Sequence, residues 1–389
     1  MRFCTYTLLD TSPDPVTGVA RTQKQAFELV GLQAEWAEEL GFDAFGVGER
    51  HAQRFVSSSP PVVLAHVAAR TTRIRLMTTV TVLSLLDPVR VAEDYATLDH
   101  LSGGRLDVVI GKGNDPDQNA LYGYDLEGQW ERNAEKYELL RRLWREERVT
   151  WSGRFRPALV EATTQPRPLQ QPIPVWHGSA SSTESTELAA RWGDPLFSAN
   201  GFHAMEKYAA LVRHYRERWD AYGHDPADAL VGAGFLGLLV ADTTQEALRL
   251  YEPAFEAFRR SPGALHNRLP FTTVSEYARD SSALIGSPEE VIDKIGRYHE
   301  AFGHDLSGIS LDVPGLLEAV TRRSVERFFT DVAPVVRREY PSRQRAGQPT
   351  SRESGGPGSD PPRAAAPDAW ATPTAPLSRR GSGEPLPSP

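Results

Sequence analysis

Eight times along the first 340 residues a short apolar run gives way to an amphipathic helical pattern, and this alternation restricts the fold more than any other feature. The runs fall at residues 3–9, 44–47, 74–83, 106–110, 173–176, 196–199, 236–240 and 308–313. Several lack the polar alternation of a half-exposed strand, which is how strands buried on both faces read, and strand–helix repetition of that kind builds a parallel sheet. An open doubly wound sheet competes. The count of eight favours an α/β fold closed as a (β/α)8 TIM barrel. The intervening segments carry start and stop signals of their own. Leu29, Leu32, Trp36 and Leu40 share one helical face before Gly41, and glycine there suits a left-handed helix terminus. Asp87 stands as a cap ahead of Pro88, and Ser287 with Glu290 has the spacing of a capping box.

Composition narrows what such a barrel would bind. The chain is 40% hydrophobic and 24% charged with a formal net charge of -8, which disfavours a nucleic-acid partner, whose phosphates call for an excess of Lys and Arg. Cys4 is the only cysteine, so an internal disulfide and a thiolate zinc site are excluded, no metal is expected, and the thiol reads as core. No run of about 20 apolar residues is present to span a membrane, and the first ten residues do not read as a signal peptide. A cytoplasmic protein is expected. From Pro341 onward the chain turns to Pro, Gly, Ser and Ala, too poor in large apolar groups to offset its ordering entropy. Residues 341–389 therefore read as a disordered tail on a barrel of residues 1–340.

In a closed barrel of this type ligands sit at the carboxyl ends of the strands. The second run exits through Glu49, Arg50 and His51. Of these His51 suits proton transfer near neutrality, because imidazole ordinarily titrates there, whereas a guanidinium stays charged and can hold an anion. A plain ion pair between Glu49 and Arg50 at the rim is the alternative. The third run carries Thr79 and Val80 toward its end. The fourth exits through Gly111, Lys112 and Gly113, and the fifth through Gly178 and Ser179 into Ser182, a helix cap, and Ser185. Free amides at that helix start, with Lys112 opposite, would hold a phosphate. No P-loop, Rossmann fingerprint, HExxH or GxSxG pattern occurs. His177 and His203 follow later strands and read as exposed or capping groups.

Together "ELGFDAFGVGERH", "AARTTRIRLMTTVTVLSLLDPVRVAEDYATLDHLSGGRLDVVIGKGN", "PVWHGSASSTESTELAARWGD" and "IGSPEEVIDKI" resemble the bacterial luciferase-like monooxygenases, flavin-dependent (β/α)8 barrels, over roughly residues 1–340. The resemblance implies an FMN phosphate held by Lys112, Ser182 and Ser185, and a non-proline cis peptide at Thr79–Val80 against the flavin ring. It implies a mobile lid in the segment after strand 7, with His266, Arg268, Phe271 and Tyr277 as substrate contacts. It also implies reduced, exchangeable FMN, molecular oxygen, a small organic substrate, a separate flavin reductase, and a possible homodimer. An F420-dependent oxidoreductase on the same fold is the alternative. Two positions depart from the family pattern: Arg50 replaces a histidine linked to catalysis, and Lys112 replaces the phosphate-binding Arg. The first departure leaves open a barrel that binds flavin without catalysing.

Overall fold

The computed structural model describes residues 1–14, 17–51, 54–266 and 268–343. Eight parallel strands carry the fold: β1 (Arg2–Thr7), β2 (Ala44–Val47), β3 (Arg75–Thr78), β4 (Leu106–Gly111), β5 (Val175–Ser179), β6 (Leu196–Ser198), β7 (Val231–Phe235) and β8 (Leu306–Ser310). They pair in sequence order. β1 lies between β2 and β8, and the β3–β4 pairing, Leu76 opposite Leu106, closes the cylinder. A (β/α)8 barrel is therefore the fold.

The barrel interior is a dry ring to which every strand region contributes. Cys4, Ala44, Met77, Val109, Trp176, Phe197, Leu230 and Leu306 form one buried cluster, as expected when inward positions of a closed sheet interdigitate. Cys4 is a core thiol whose ionisation burial pushes upward. A larger cluster fills the layer between strands and helices, with Leu76, Leu106, Leu140 and Tyr215 among its members. Helix starts follow the caps. Thr22 makes a full capping box with Gln25, and Gly41 ends that helix at φ 98°. Asp87 accepts from the Val89 amide at 2.8 Å. Ser287 caps as expected, but Glu290 turns instead to the Thr244 hydroxyl, so the box is half made.

Strand 7 corrects the sequence reading. The apolar run at 236–240 is not a barrel strand: Leu238–Val240 pairs with Leu284–Gly286 in a separate two-stranded sheet. The barrel strand is the glycine-rich Val231–Phe235, "VGAGF". Gly232 makes room for the Phe197 ring, which lies 2.5 Å from where its Cβ would stand, and equally close to one on Gly308 of β8. An insertion does follow strand 7, and a second apolar cluster, including Leu239, Tyr251, Phe255, Phe271 and Tyr277, stabilises it.

The chain divides into Met1–Ser351 and Arg352–Pro389, and residues 344–389, most of the expected tail, lie outside the described residues. Ser342 and Arg343, assigned above to the tail, belong to the barrel: Arg343 pairs with buried Asp305 at 2.8 Å, and the Ser342 hydroxyl donates to the Asp305 carbonyl at 2.6 Å. No helix of the described residues is long and apolar enough to cross a membrane.

Candidate active site

The exit of β2 is held by its own acid. Glu49 and His51 are both buried and joined at 2.8 Å, Oε1 to Nε2. The other carboxylate oxygen of Glu49 accepts from the Val82 amide at 2.8 Å, and the Glu49 amide donates to the Val80 carbonyl at 2.9 Å. One residue thus orients an imidazole and pins the end of β3. Arg50 turns the other way. Its guanidinium meets Asp115 at 3.8 Å and Phe55 at 5.7 Å from the ring centre, and burial pulls its ionisation down while Asp115 partly restores it. The Glu49–Arg50 rim pair does not form; each residue has a different partner.

β3 ends at a cis peptide between Thr79 and Val80, as the resemblance implies. Around it the neighbouring strands are bare. A Cβ on Gly46 would lie 2.7 Å from Thr79 Cγ2, on Gly48 2.5 Å from the Thr79 carbonyl oxygen, on Gly111 2.7 Å and on Gly178 2.9 Å from the Val80 methyls. Three strand glycines and Gly48, just past β2, therefore seat this dipeptide, and side chains there would displace it. The Thr79 hydroxyl is buried with no hydrogen-bond partner, so one polar atom at this end of the barrel is left for a ligand.

Lys112 leaves β4 with its ammonium on the Gly113 carbonyl at 3.0 Å and 4.5 Å from the Trp130 ring centre. Burial lowers its ionisation, and the charge of Glu184 opposes that shift, which sets the β4 exit near the start of the helix Thr183–Trp192. Ser182 caps that helix, its hydroxyl accepting from the Ser185 amide at 3.4 Å, and the Ser179 hydroxyl donates to the Ser182 carbonyl at 2.9 Å. Lys112, Gly113, Gly178, Ser179, Ser182 and Ser185 are therefore grouped around adjoining strand exits.

The lid candidates fare differently. Phe271 and Tyr277 are core residues of the insertion, with rings 5.7 Å apart, and the Tyr277 hydroxyl donates to the Leu236 carbonyl at 3.2 Å. They brace the insertion rather than present surface to a substrate. Arg268 is exposed in a turn at φ 51°. His266 ends the short helix Pro262–His266, and its side chain lies outside the described residues.

Three groups escaped the sequence reading. Tyr122, from the loop after β4, sets its hydroxyl 3.4 Å from both ring nitrogens of His51, ring against ring at 4.9 Å. Asp312, just past β8, accepts from the Thr7 hydroxyl at 2.5 Å and the Leu8 amide at 3.3 Å, and burial holds its carboxyl above the usual range despite those bonds. Spacing could not announce either, since both depend on loops returning to another strand. His177, read above as exposed or capping, is buried and bonded at 3.2 Å to Asp194, which also pairs with Arg141 at 2.9 Å and accepts from Tyr137. That group lies between β5 and its helices. A cavity of about 490 Å³ is lined by other residues, among them Glu138, Trp151 and Trp192, and by none of the strand-exit groups described above.

The luciferase-like monooxygenase family model matches residues 1–305. The chain belongs to that family. Its luciferase-like relatives include the oxygenase component of the flavin-dependent trigonelline monooxygenase of Acinetobacter baylyi, 25% identical over 357 residues, covering 86% of this chain and 95% of the relative. The F420-dependent glucose-6-phosphate dehydrogenase of Kineococcus radiotolerans is 30% identical over 329 residues, with 77% and 90% covered. Protein y4wF of Sinorhizobium fredii is 34% identical over 232 residues, and the match spans 57% of this chain and 64% of that protein. Among solved structures, the monooxygenase RslO1 from Streptomyces bottropensis superposes with a TM-score of 0.73 at 27% identity, covering 86% of this chain and 99% of that one.

Proposed function

We propose that this luciferase-like protein is the oxygenase component of a two-component monooxygenase that takes reduced FMN from a separate flavin reductase and acts on a small organic substrate. The observation that carries the reading is the glycine-seated Thr79–Val80 dipeptide beside Lys112 and the Ser182 helix cap. The residues fit the cofactor: Thr79 keeps a buried, unpaired hydroxyl at the strand ends, and Lys112 brings a cation within electrostatic reach of the first turn of the helix that Ser182 caps, where a phosphate would lie. When bound, reduced FMN supplies the electrons with which molecular oxygen is split between substrate and water. Lys112 and Ser182 would hold the phosphate, Thr79 and Val80 the ring. Glu49 fixes the His51 imidazole for proton transfer near the ring. Arg50, charged at any working pH, offers an anion a partner but cannot act as a base. The relative named as an oxygenase component supports a reductase partner.

An F420-dependent oxidoreductase is the second reading, favoured by the 30% identity to an F420-dependent dehydrogenase. Anaerobic titration with reduced FMN and with reduced F420, followed by an oxygen pulse watched by absorbance, separates the two. Tight binding of reduced FMN with oxygen-dependent turnover supports the proposal. Binding of F420 alone, with no response to oxygen, overturns it.

A further inference from the structure

Glu49 is 4% exposed and His51 6%, whereas Tyr122 is 38% exposed, so the three groups run from the barrel toward solvent. A carboxylate only accepts hydrogen bonds, so a neutral His51 imidazole in the 2.8 Å contact with the Glu49 carboxylate carries its proton on Nε2 and leaves its lone pair on Nδ1. The Tyr122 hydroxyl stands 3.4 Å from Nδ1, and as far from Nε2, at the long end of hydrogen-bond reach; with Nε2 engaged by Glu49, Nδ1 is the nitrogen left for it. Its mounting is firm. Tyr122 follows the helix Pro116–Leu121, whose capping Asp115 pairs with Arg50, the neighbour of His51 at the β2 exit.

We propose that Tyr122 is the solvent-side member of a proton relay whose inner members are His51 and Glu49. In one passage the Tyr122 hydroxyl gives its proton to His51 Nδ1 and takes one from a solvent water, which leaves as hydroxide to the bulk, while His51 passes its Nε2 proton to Glu49. One proton enters, one carboxylate is neutralised, the imidazole ends as the other tautomer, and no electrons move. The other titratable groups at the pair fit this path. Tyr95 faces Glu49 from the helix Pro88–Leu101, but burial and the Glu49 charge push its ionisation far up and its hydroxyl is engaged by Thr81 at 2.5 Å. Arg50 and Asp115 are paired with each other. Tyr122 itself is held above the ordinary phenol range by burial and by Glu49, so it carries a transferable proton at neutral pH. Tyr122 is thus a positioning and relay residue, and its use in turnover rests on the proposed flavin reaction.

The test is water exchange of the His51 ring proton, read by NMR on the full chain labelled at histidine nitrogen, without flavin, with His51→Gln used to assign the resonance. Tyr122→Phe keeps the ring contact and removes the hydroxyl. Exchange should slow by about tenfold, the equivalent of about 1.4 kcal/mol on the barrier, and a signal broadened away in the parent protein but visible in the variant is the same result. Leu121→Ala, next to Tyr122 and 65% exposed, should leave the rate alone. Unchanged or faster exchange in Tyr122→Phe overturns the relay, as does equal slowing in Leu121→Ala. Because no flavin is present, failure to bind FMN would overturn the proposed function without altering this outcome.

Discussion

Lys112 and Asp312 show how a single residue's surroundings decide its work. Lys112 brings a point charge, without the planar fork of an Arg, to a place where burial already opposes its ionisation and Glu184 is the opposing charge. If it grips a phosphate, Lys112→Ala should weaken reduced FMN by about 10- to 150-fold, the loss of one charge-assisted hydrogen bond of about 1.5–3 kcal/mol. Riboflavin, which has no phosphate, should bind both proteins alike, and isothermal titration distinguishes the two. Asp312 is the opposite case, an acid whose folded ionisation lies above its unfolded one. The unfolded chain then binds fewer protons than the folded one between those two values, so stability falls as pH rises through that window, and the cost persists at neutrality. Asp312→Asn should raise the melting temperature at pH 7, and the gain should vanish below about pH 3.9, where both forms are neutral. A loss of stability at pH 7 would mean that the hydrogen bonds from Thr7 and Leu8 need the full charge.

Among the elements, β7 and β8 are shaped by a neighbour. Gly308 has no steric need of its own to be glycine; the Phe197 ring from β6 occupies the space its side chain would take, 2.5 Å from the would-be Cβ. Gly308→Ala should therefore destabilise by about 1–3 kcal/mol through overpacking, measured by urea unfolding. Adding Phe197→Leu should recover part of that loss, because the double change returns volume to the ring layer. The same logic holds at the mouth, where glycines on β2, β4 and β5 serve the Thr79–Val80 dipeptide. Glycines scattered along apolar runs are weak strand signals individually. Here they mark where large groups cross from one strand to the next.

For the whole molecule, residues 340–343 tie the first residue of the chain to the start of β8. The Met1 amino group donates to the Tyr340 carbonyl at 2.5 Å, and Arg343 reaches Asp305 at the start of β8 through both its backbone amide and its guanidinium. Truncation after Arg343 should leave the melting temperature unchanged. Truncation after Tyr340 should cost about 1–3 kcal/mol, because Asp305 keeps its burial but loses a charged partner; the partial exposure of Arg343 holds the figure below that of a fully buried pair. Equal melting of the two truncated chains would show that this contact contributes nothing.

By itself the sequence determined the barrel, because apolar runs alternating with capped helices leave few other ways to bury so many strands on both faces, although one of the eight runs, at 236–240, lies outside the barrel sheet. It also determined that Glu49, His51, Thr79, Lys112 and Ser182 sit at strand exits, since position after a run is a local property. Local signals placed the caps at Asp87, Ser182 and Ser287 for the same reason. Only the tertiary structure decided which residues meet. Glu49 chose His51 over Arg50, Arg50 chose Asp115, Tyr122 came back from another loop, and Phe271 and Tyr277 turned inward. β7 was hidden because Gly232 answers to Phe197, 35 residues away in sequence, and no pattern internal to "VGAGF" records that ring. A strand's periodicity reports which face is buried. The partner on that face is set by closure of the sheet, and closure belongs to the whole chain.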